Sequence, residues 1–330
     1  MVAYTGIQGQ NILIVSSDPS NPTEGQIWYN STSNLLKGYA NVVTNAWSAG
    51  GNMNTARSNL GGAGIQTAAL AFGGYVFPGP DFANSESYNG TSWTATPSLN
   101  TARKGISGAG LQTAALGVGG YATGLGERAN TESWNGSSWT SVNAMNKNRY
   151  MLGLVGIQTA ALAFGGNAPA PTNTAVTESW DGTSWTNLPA SLNTNKYSSA
   201  TAGTQTAAIG AGGTASGGPT AASESWNGST WTTTPSLNTA KAGVSGTGSQ
   251  TAALAFGGNP GSVTGATELW NGSSWTTNPN SMATARAALA SSSNGTQNLA
   301  LGFGGYTTGA VTTTEEWTGA ALAVRTITTS

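Results

Sequence analysis

The side chains that could perform chemistry are few, and many of them recur at equivalent places. The chain of 330 residues has 11 Lys and Arg residues and 12 Asp and Glu residues, with no histidine and no cysteine. Removing the recurring ones leaves Asp18, Glu24, Lys37, Asp81, Lys104, Glu127, Arg128, Lys147, Asp181, Glu316 and Arg325. These residues are scattered, and no two carboxylates stand out as a general acid and a general base.

The missing residue types exclude several reaction classes. Without histidine there is no Ser-His-Asp arrangement, and without histidine or cysteine there is no plausible zinc, copper or haem site. No spaced run of Asp and Asn of the calcium-loop type occurs. We therefore predict a protein that is not an enzyme and that has no catalytic residues, no metal and no cofactor. A carbohydrate-active enzyme is the least favoured alternative.

Charge and hydropathy restrict the partners. The formal net charge is −1, without the basic stripe that phosphate backbones require, so nucleic acid is not an expected partner. No apolar run approaches the roughly 20 residues of a membrane span. The start, MVAYTGIQGQ, lacks the basic and apolar regions of a signal peptide. We expect neither membrane insertion nor export by the usual route.

Two sequence elements recur along the chain. QTAALAFGG starts at Gln66, and related segments start at Gln112, Gln158, Gln205, Gln250 and Gln297. TESWNGSSWT starts at Thr131, and its relatives start at Ser85, Thr177, Ser223, Thr267 and, in a degraded form, Thr314. A constant period of about 46 residues is typical of a repeat architecture.

Each repeat reads as a four-stranded β-sheet. The first strand is rich in Gly, Ala and Ser, which suits a crowded position near an axis, whereas the third and fourth strands form a Trp-bearing hairpin with an Asn-Gly turn. Small and large residues alternate along the second strand, so both sheet faces should be buried between neighbouring repeats. This tapering predicts an all-β fold, a single β-propeller.

The recurring charges and tryptophans are predicted to be structural. Glu86, Glu132, Glu178, Glu224, Glu268 and Glu315 share one position; Arg57, Arg103, Arg149, Lys196, Lys241 and Arg286 share another. We expect them to pair or to bind backbone within or between blades, as surface pairs that each contribute little. We expect the tryptophans to pack blade edges. The alternatives are a set of ligand contacts for the charges and a multivalent sugar site for the tryptophans.

The order of these elements resembles the kelch repeat. The shared features are an apolar strand, Gly-Gly, a variable loop, Glu-x-Trp/Tyr, a short turn, a Trp and the segment NTAR, over residues 54 to 318. The resemblance implies a propeller with one four-stranded blade per repeat, and it implies no function. NILIVSS, GQIWYN, LLKGY and NAWSAG could form a further blade. We favour seven blades, with six plus a separate N-terminal segment as the alternative, and the expected parts are residues 1–53 (a divergent blade or attachment segment) and 54–330 (the propeller).

The two ends of the chain resemble another class of proteins. SSDPSNPTEGQIWYNSTSNLLKGY, from Ser16 to Tyr39, is similar to a segment at the front of tailed-bacteriophage structural and tail proteins, and so is the ending TEEWTG…RTITTS. The resemblance implies a virion protein, made in the host cytoplasm, in a fibre, tail or capsid decoration. Other virion proteins are then the expected partners, and self-association stays open.

The variable loops after each Gly-Gly should carry any binding site, because they would all emerge on one face of a propeller. The most individual loops hold the candidate ligand-binding residues Phe77, Asp81, Phe82, Glu127 and Arg128. Aromatic side chains beside carboxylates and Arg can contact a glycan or a protein, although ordinary connecting loops are the alternative. We predict a non-enzymatic virion structural or attachment protein whose loops bind a host surface glycan or another virion protein; the alternative is a glycan-binding lectin of bacterial origin.

Overall fold

The computed structural model describes residues 12–42, 45–169 and 173–327, and every regular element among them is a β-strand. The opening segment MVAYTGIQGQ and the middle of the predicted loop NAPAPTNTAV lie outside these residues. The described part of the chain has no helix that could cross a membrane. The predicted all-β class is confirmed.

Each predicted repeat forms one four-stranded antiparallel sheet. We number the repeats 1 to 6 and give their strands in sheet order. The strands are Gly61–Ile65, Ala68–Phe72, Ser85–Tyr88 and Trp93–Thr96 in repeat 1; Ser107–Leu111, Ala114–Val118, Thr131–Trp134 and Trp139–Val142 in repeat 2; Gly153–Ile157, Ala160–Phe164, Thr177–Trp180 and Trp185–Asn187 in repeat 3; Ala200–Gly203, Ala208–Ala211, Ser223–Trp226 and Trp231–Thr234 in repeat 4; Ser245–Gly248, Ala253–Phe256, Thr267–Trp270 and Trp275–Asn278 in repeat 5; and Ala290–Ser291, Leu299–Phe303, Thr314–Thr318 and Ala46–Ala49 in repeat 6.

Two of the loops after Gly-Gly contain short hairpins of their own. In repeat 2, Tyr121–Ala122 pairs with Gly126–Glu127. In repeat 4, Thr214–Ala215 pairs with Gly218–Pro219. These loops therefore have a defined backbone instead of an extended, unpaired path.

Repeat 6 takes its fourth strand from the other end of the chain. Ala46–Ala49 pairs antiparallel with Thr314–Thr318, opposite Trp317 and Glu315. The four N-terminal segments that were expected to form a further blade are therefore divided between two sheets, because NAWSAG supplies this strand and the other three lie in a different unit. This strand order favours the six-repeat alternative over a seventh blade.

Hydrogen bonds of the fourth-strand tryptophans join each repeat to the preceding one. In every repeat the indole N–H donates to a Ser or Thr hydroxyl that begins the third strand of the neighbour. The pairs are Trp93 with Thr314, Trp139 with Ser85, Trp185 with Thr131, Trp231 with Thr177, Trp275 with Ser223 and Trp47 with Thr267, at 2.9–3.4 Å. Because Trp93 of repeat 1 donates to Thr314 of repeat 6, the series closes. The predicted packing role of the tryptophans is confirmed, since those of the six sheets are buried or half-buried between repeats.

The innermost strands approach one another closely, as their Gly-rich sequences predict. An added Cβ at Gly108 of repeat 2 would lie 2.2 Å from the carbonyl oxygen of Gly62 in repeat 1, and one at Gly62 would lie 2.3 Å from the carbonyl oxygen of Ser291 in repeat 6. Neighbouring backbones are thus in contact near the axis. No side chain larger than hydrogen fits at these two positions without moving a neighbouring strand.

The recurring charges form buried ion pairs within each repeat, so the expectation of surface pairs is wrong. The side chains are at most 2% exposed, and the N–O distances run from 2.5 to 3.8 Å; the pairs are Arg57–Glu86, Arg103–Glu132, Arg149–Glu178, Lys196–Glu224, Lys241–Glu268 and Arg286–Glu315. The carboxylate also accepts from backbone: Glu178 binds the N–H of Asn146 at 2.7 Å. These pairs are buried in the fold and inaccessible to a ligand.

Burial lowers the pKa of the cations in these pairs. Desolvation lowers the pKa of Arg57, Arg149 and Arg286 to about 10, and that of Lys196 to about 8, with the paired glutamate opposing each shift. Lys196 lies 3.8 Å from the Glu224 carboxylate and donates to the carbonyl oxygens of Gly210 and Ala222. Glu224 therefore holds the Lys196 ammonium less tightly than the other glutamates hold their cations.

The two chain ends form a separate compact unit, which comprises residues 12–42 and 319–327 of the described chain. Its sheet has the order Leu13–Val15, Ile27–Asn30, Leu35–Val42 and Ala321–Thr326, and only the first pair is parallel. Asp18 accepts hydrogen bonds from Trp28, Asn30 and Lys37 at 3.1, 2.8 and 2.8 Å. These bonds lower the pKa of Asp18 to about 2, with the Lys37 bond as the main cause.

Replacing Gly108 tests the crowding at the axis. We expect Gly108→Ala to lower the free energy of unfolding by about 2 kcal/mol, because the new methyl group meets the backbone of Gly62. Gly217→Ala is the matched control, since nothing lies within 4 Å of its added Cβ, and it should change the free energy by less than about 0.5 kcal/mol. Denaturant titration followed by tryptophan fluorescence measures both. Equal effects of the two substitutions would contradict close contact at the axis.

Replacing Lys196 by the Arg of other repeats tests the buried pairs through pH. The folded state releases the Lys196 proton near pH 8, whereas the unfolded chain keeps it to about 10.5, so the unfolded state binds more protons between these values. The free energy of unfolding of the native chain should therefore rise from about pH 7 to about pH 9 relative to Lys196→Arg, whose guanidinium stays protonated. The difference between the two proteins cancels all other titrations. A pH-independent difference would show that Lys196 does not titrate in this range.

Candidate functional site

The loops after Gly-Gly leave the six sheets at the same end, because every repeat has the same strand order and direction. At this loop end, the residue after each buried cation forms a backbone bridge with the residue after Gly-Gly. The bridged pairs are Ser58–Tyr75, Lys104–Tyr121, Tyr150–Asn167, Tyr197–Thr214, Ala242–Asn259 and Ala287–Tyr306. The fold therefore places twelve comparable positions around the axis, and their side chains differ from repeat to repeat.

The predicted site residues occupy matching positions in repeats 1 and 2. Asp81 pairs with Tyr75, and Glu127 pairs with Tyr121, so the two carboxylates are structural equivalents. The next residues, Phe82 and Arg128, are equivalent too, because each donates its backbone N–H to the second glycine of Gly-Gly; the same position holds Thr174, Thr220, Thr264 and Val311 in repeats 3 to 6. Four of the five candidates thus occupy equivalent positions in the loops of repeats 1 and 2.

The threonines at the Phe82 and Arg128 position have a local role. The hydroxyls of Thr174, Thr220 and Thr264 accept a hydrogen bond from the N–H two residues later. Phe82 lacks such a group, and Arg128 instead donates from Nε to Asn130 at 3.2 Å. Repeats 1 and 2 therefore replace a turn-stabilising residue with a large side chain.

Asp81 and Lys104 fasten the loop of repeat 1 to repeat 2. Asp81 Oδ2 accepts from the backbone N–H of Thr123 at 2.7 Å, and its Oδ1 lies 3.7 Å from Lys104 Nζ. The Asp81 side chain is only 6% exposed, against 27% for Lys104. Asp81 therefore holds the loop of repeat 2 in place through Thr123. Lys104 is the more accessible of the two charged side chains.

Two tyrosines flank Lys104, and two further tyrosines continue the row from one of them. Its ammonium lies 4.6 Å from the centre of the Tyr75 aromatic ring and 5.3 Å from that of Tyr121, both within the range of cation–π attraction. The centres of the Tyr121 and Tyr150 rings are 5.6 Å apart. Burial raises the pKa of Tyr150, and the nearby Tyr197, Glu127 and Tyr121 add to the shift. We call Tyr75, Lys104, Tyr121, Tyr150 and Tyr197 the tyrosine arc.

The polar groups of the tyrosine arc make no hydrogen bond with protein atoms in the described chain, and neither does the Glu127 carboxylate. Each of these side chains is partly exposed. The recurring Gln and Trp side chains, in contrast, are hydrogen-bonded: Gln158 donates to the carbonyl of Trp134, and Trp180 donates to the carbonyl of Gln158. The tyrosine arc therefore gathers several side-chain groups that can form hydrogen bonds and that form none with the described part of the protein.

The remaining predicted candidates lie at the margin of the arc. Phe77 is 75% exposed in the loop of repeat 1, and Leu125 is 66% exposed in the loop of repeat 2. Phe82 and Arg128 are half-buried. Phe77, Phe82, Glu127 and Arg128 all remain accessible to a ligand, and their binding roles stay predictions.

Sequence reasoning missed the tyrosine arc. Tyr75 and Tyr121 stand in the quoted loops, and Lys104 was among the non-recurring charges, but Tyr150 and Tyr197 directly follow the recurring cations and were not considered. The available signal was the residue after each recurring cation, which reads Ser, Lys, Tyr, Tyr, Ala, Ala along the chain. Comparing that position between repeats would have identified it.

A central cavity offers less chemistry than the arc. It has a volume of about 660 Å³, including space open to solvent, and the inner segments of all six repeats line it. At its wall Gly105 donates its backbone N–H to Asn59, Met151 donates to Gly105, and Asn59 donates to Ala288, at 2.7–2.9 Å. The backbone donors at this level are thus engaged between repeats. The described residues also contain no group of three or more Asp or Glu residues that could hold a metal ion.

The tyrosine arc can bind a ligand that is both polar and partly apolar. Tyrosine rings provide apolar faces, their hydroxyls donate and accept hydrogen bonds, and Lys104 adds a charged donor. Glu127 adds an acceptor beside Tyr150. Polyhydroxylated molecules with C–H faces have this combination of properties. Comparisons with family models and with curated proteins find no match to this chain.

Proposed function

We propose that this chain is a non-enzymatic attachment protein that binds a glycan at the loop end of a kelch-like propeller. The tyrosine arc carries the proposal, because it gathers four tyrosines and a lysine whose polar groups make no hydrogen bond to protein atoms among the described residues. Fold stability does not require these side chains, since repeat 5 has Ala242 and Asn259 at the same positions. A requirement for ligand contact accounts for both facts.

A carbohydrate suits the arc better than an extended peptide or a lipid. A peptide that added to a sheet would need an open strand edge, and the arc presents side chains instead. A lipid would need a larger exposed apolar patch than scattered residues such as Phe77 and Leu125 provide. Sugar rings can stack on the tyrosines while their hydroxyls bond to the phenols, Lys104 and Glu127.

The carboxylates of the site favour binding over hydrolysis. Glycoside hydrolysis ordinarily requires two carboxyl groups that flank the bond to be broken. Asp81 is nearly buried, and one of its oxygens is bound to the Thr123 N–H. Glu127 is then the accessible carboxylate of this pair, and a single accessible carboxylate suits ligand recognition.

We further propose that the unit made from the chain ends joins the protein to a tailed-phage particle, in a fibre, tail or capsid decoration. Its support is that Ile27–Asn30 and Leu35–Val42, which lie in the segment resembling phage structural proteins, pair in one sheet with the C-terminal strand Ala321–Thr326. The repeats form their own unit. Recognition and attachment would thus be assigned to different units.

Truncating the arc should weaken glycan binding. We expect Tyr121→Ala to weaken binding to the recognised glycan or host cell by at least about tenfold, because an aromatic stack and a Lys104 contact are lost together. Asn259→Ala alters the matching position of repeat 5 and should leave the affinity unchanged. An array of bacterial surface glycans followed by calorimetry measures the affinities. Equal affinities of both variants and the native chain would reject the arc as the site.

Disrupting the end unit should separate attachment from recognition. Asp18→Ala removes the acceptor shared by Trp28, Asn30 and Lys37, so we expect the protein to be lost from assembled particles while its glycan binding persists. Ser20→Ala, at an exposed residue of the same segment, is the control. Immunoblotting of purified particles gives the result. Binding without incorporation of even the native chain would indicate a bacterial lectin instead.

A further inference from the structure

Lys104 is the one cation at its structural position. The residues after the buried cations of the other repeats are Ser58, Tyr150, Tyr197, Ala242 and Ala287, so the fold does not require a charge there. Its backbone is fixed, because the Lys104 N–H donates to the Tyr121 carbonyl at 3.0 Å and the Lys104 carbonyl accepts from the Tyr121 N–H at 2.7 Å. A lysine in this setting is a local feature of repeat 2.

Neighbouring side chains hold the Lys104 side chain in place, but the hydrogen-bond donors of its ammonium remain unused. Tyr75 and Tyr121 flank its ammonium at 4.6 and 5.3 Å from the centres of their aromatic rings, and Asp81 Oδ1 lies at 3.7 Å, which is longer than a hydrogen bond. An ammonium has three donors, and none of them is hydrogen-bonded to a described protein atom. Much of the entropy cost of ordering a lysine is therefore met before a ligand arrives.

The surrounding charges leave the ammonium available. Asp81 is 6% exposed, and its Oδ2 is bonded to the Thr123 N–H, while its Oδ1 stays 3.7 Å from the ammonium. Arg103 below is paired with Glu132. Glu127 lies near Tyr150, and Arg128 is bonded to Asn130. The Lys104 ammonium, between Tyr75 and Tyr121, thus keeps its hydrogen-bond donors available despite its long ion pair with Asp81.

We propose that Lys104 determines specificity for a glycan with an anionic group, a carboxylate or a phosphate, which accepts hydrogen bonds from its ammonium. This inference rests on the proposed glycan-binding function. Hydrogen bonds between charged partners are roughly twice as strong as those between neutral ones, so an anionic sugar gains more here than a neutral one. Lysine acts as a point charge and suits either anion, whereas a bidentate arginine fork would impose one geometry.

Binding to three probes tests the proposal: a uronic-acid oligosaccharide, a glycerol-phosphate polymer and a neutral oligosaccharide of similar length. We expect the native chain to bind one of the two anionic probes, with an affinity that falls as salt rises. Lys104→Met should weaken that binding by about ten- to a hundredfold. Lys104→Arg should retain part of it, and Lys147→Met, which removes a lysine outside the arc, should retain all of it. Denaturant unfolding of each variant confirms that it is folded.

The outcomes separate the inference from the proposed function. Loss of anionic binding in Lys104→Met alone supports the inference, and the probe that binds identifies the carboxylate or the phosphate. Binding of the neutral probe in preference, or anionic binding that Lys104→Met leaves unchanged, overturns the inference while the glycan-binding function stands. Binding of no glycan, here or on the bacterial array, overturns both.

Discussion

Contact between the inner strands of neighbouring repeats is the constraint on which the rest of the structure depends. Each sheet has apolar side chains on both faces, so no repeat can bury them alone, and neighbours must pack on both sides. Gly62 and Gly108 let the backbones meet near the axis, while Trp139 and its counterparts fill the wider outer part. Because each sheet is therefore wedge-shaped, successive sheets pack around the axis until the first sheet meets the last. Closure then requires a fourth strand for repeat 6, which Ala46–Ala49 supplies from before repeat 1.

Burial between neighbours also explains why each repeat keeps one cation and one glutamate. The backbone N–H groups of the segment that enters each repeat need acceptors. Glu178 accepts from Asn146 N–H and from Arg149, and Arg149 also donates to the carbonyls of Gly165 and Val176. Removing one member of such a pair would leave a buried charge unpaired, which ordinarily costs about 3–5 kcal/mol. The two charges recur together because each buried charge needs the opposite charge as its partner.

Much of the fold followed from the sequence because its determinants are local and repeated. The Asn-Gly turns are an example: Asn135 Oδ1 accepts from the N–H groups of Ser137 and Ser138, and Gly136 has a φ of 92°, as the turn chemistry predicts. The pairing of Leu35–Val42 with Ala321–Thr326 could not be predicted, because it joins distant segments outside the repeat. Burial of the ion pairs was missed for a similar reason. A charge that alternates with small residues reads as exposed unless the neighbouring repeat that covers it is known.

The candidate site consists of departures from the repeat, and this is why sequence reasoning found it only in part. Comparing the loops identified Asp81 with Phe82 and Glu127 with Arg128, which prove to be structural equivalents. The partners of these residues lie after the buried cations, in segments that otherwise look regular. The six equivalent positions share the same backbone pairing, so the backbone does not determine whether Lys104, Tyr150 or Ala242 occupies the position. The proposal of glycan binding rests on the side chains at these positions that vary between repeats and that make no hydrogen bond in the described chain.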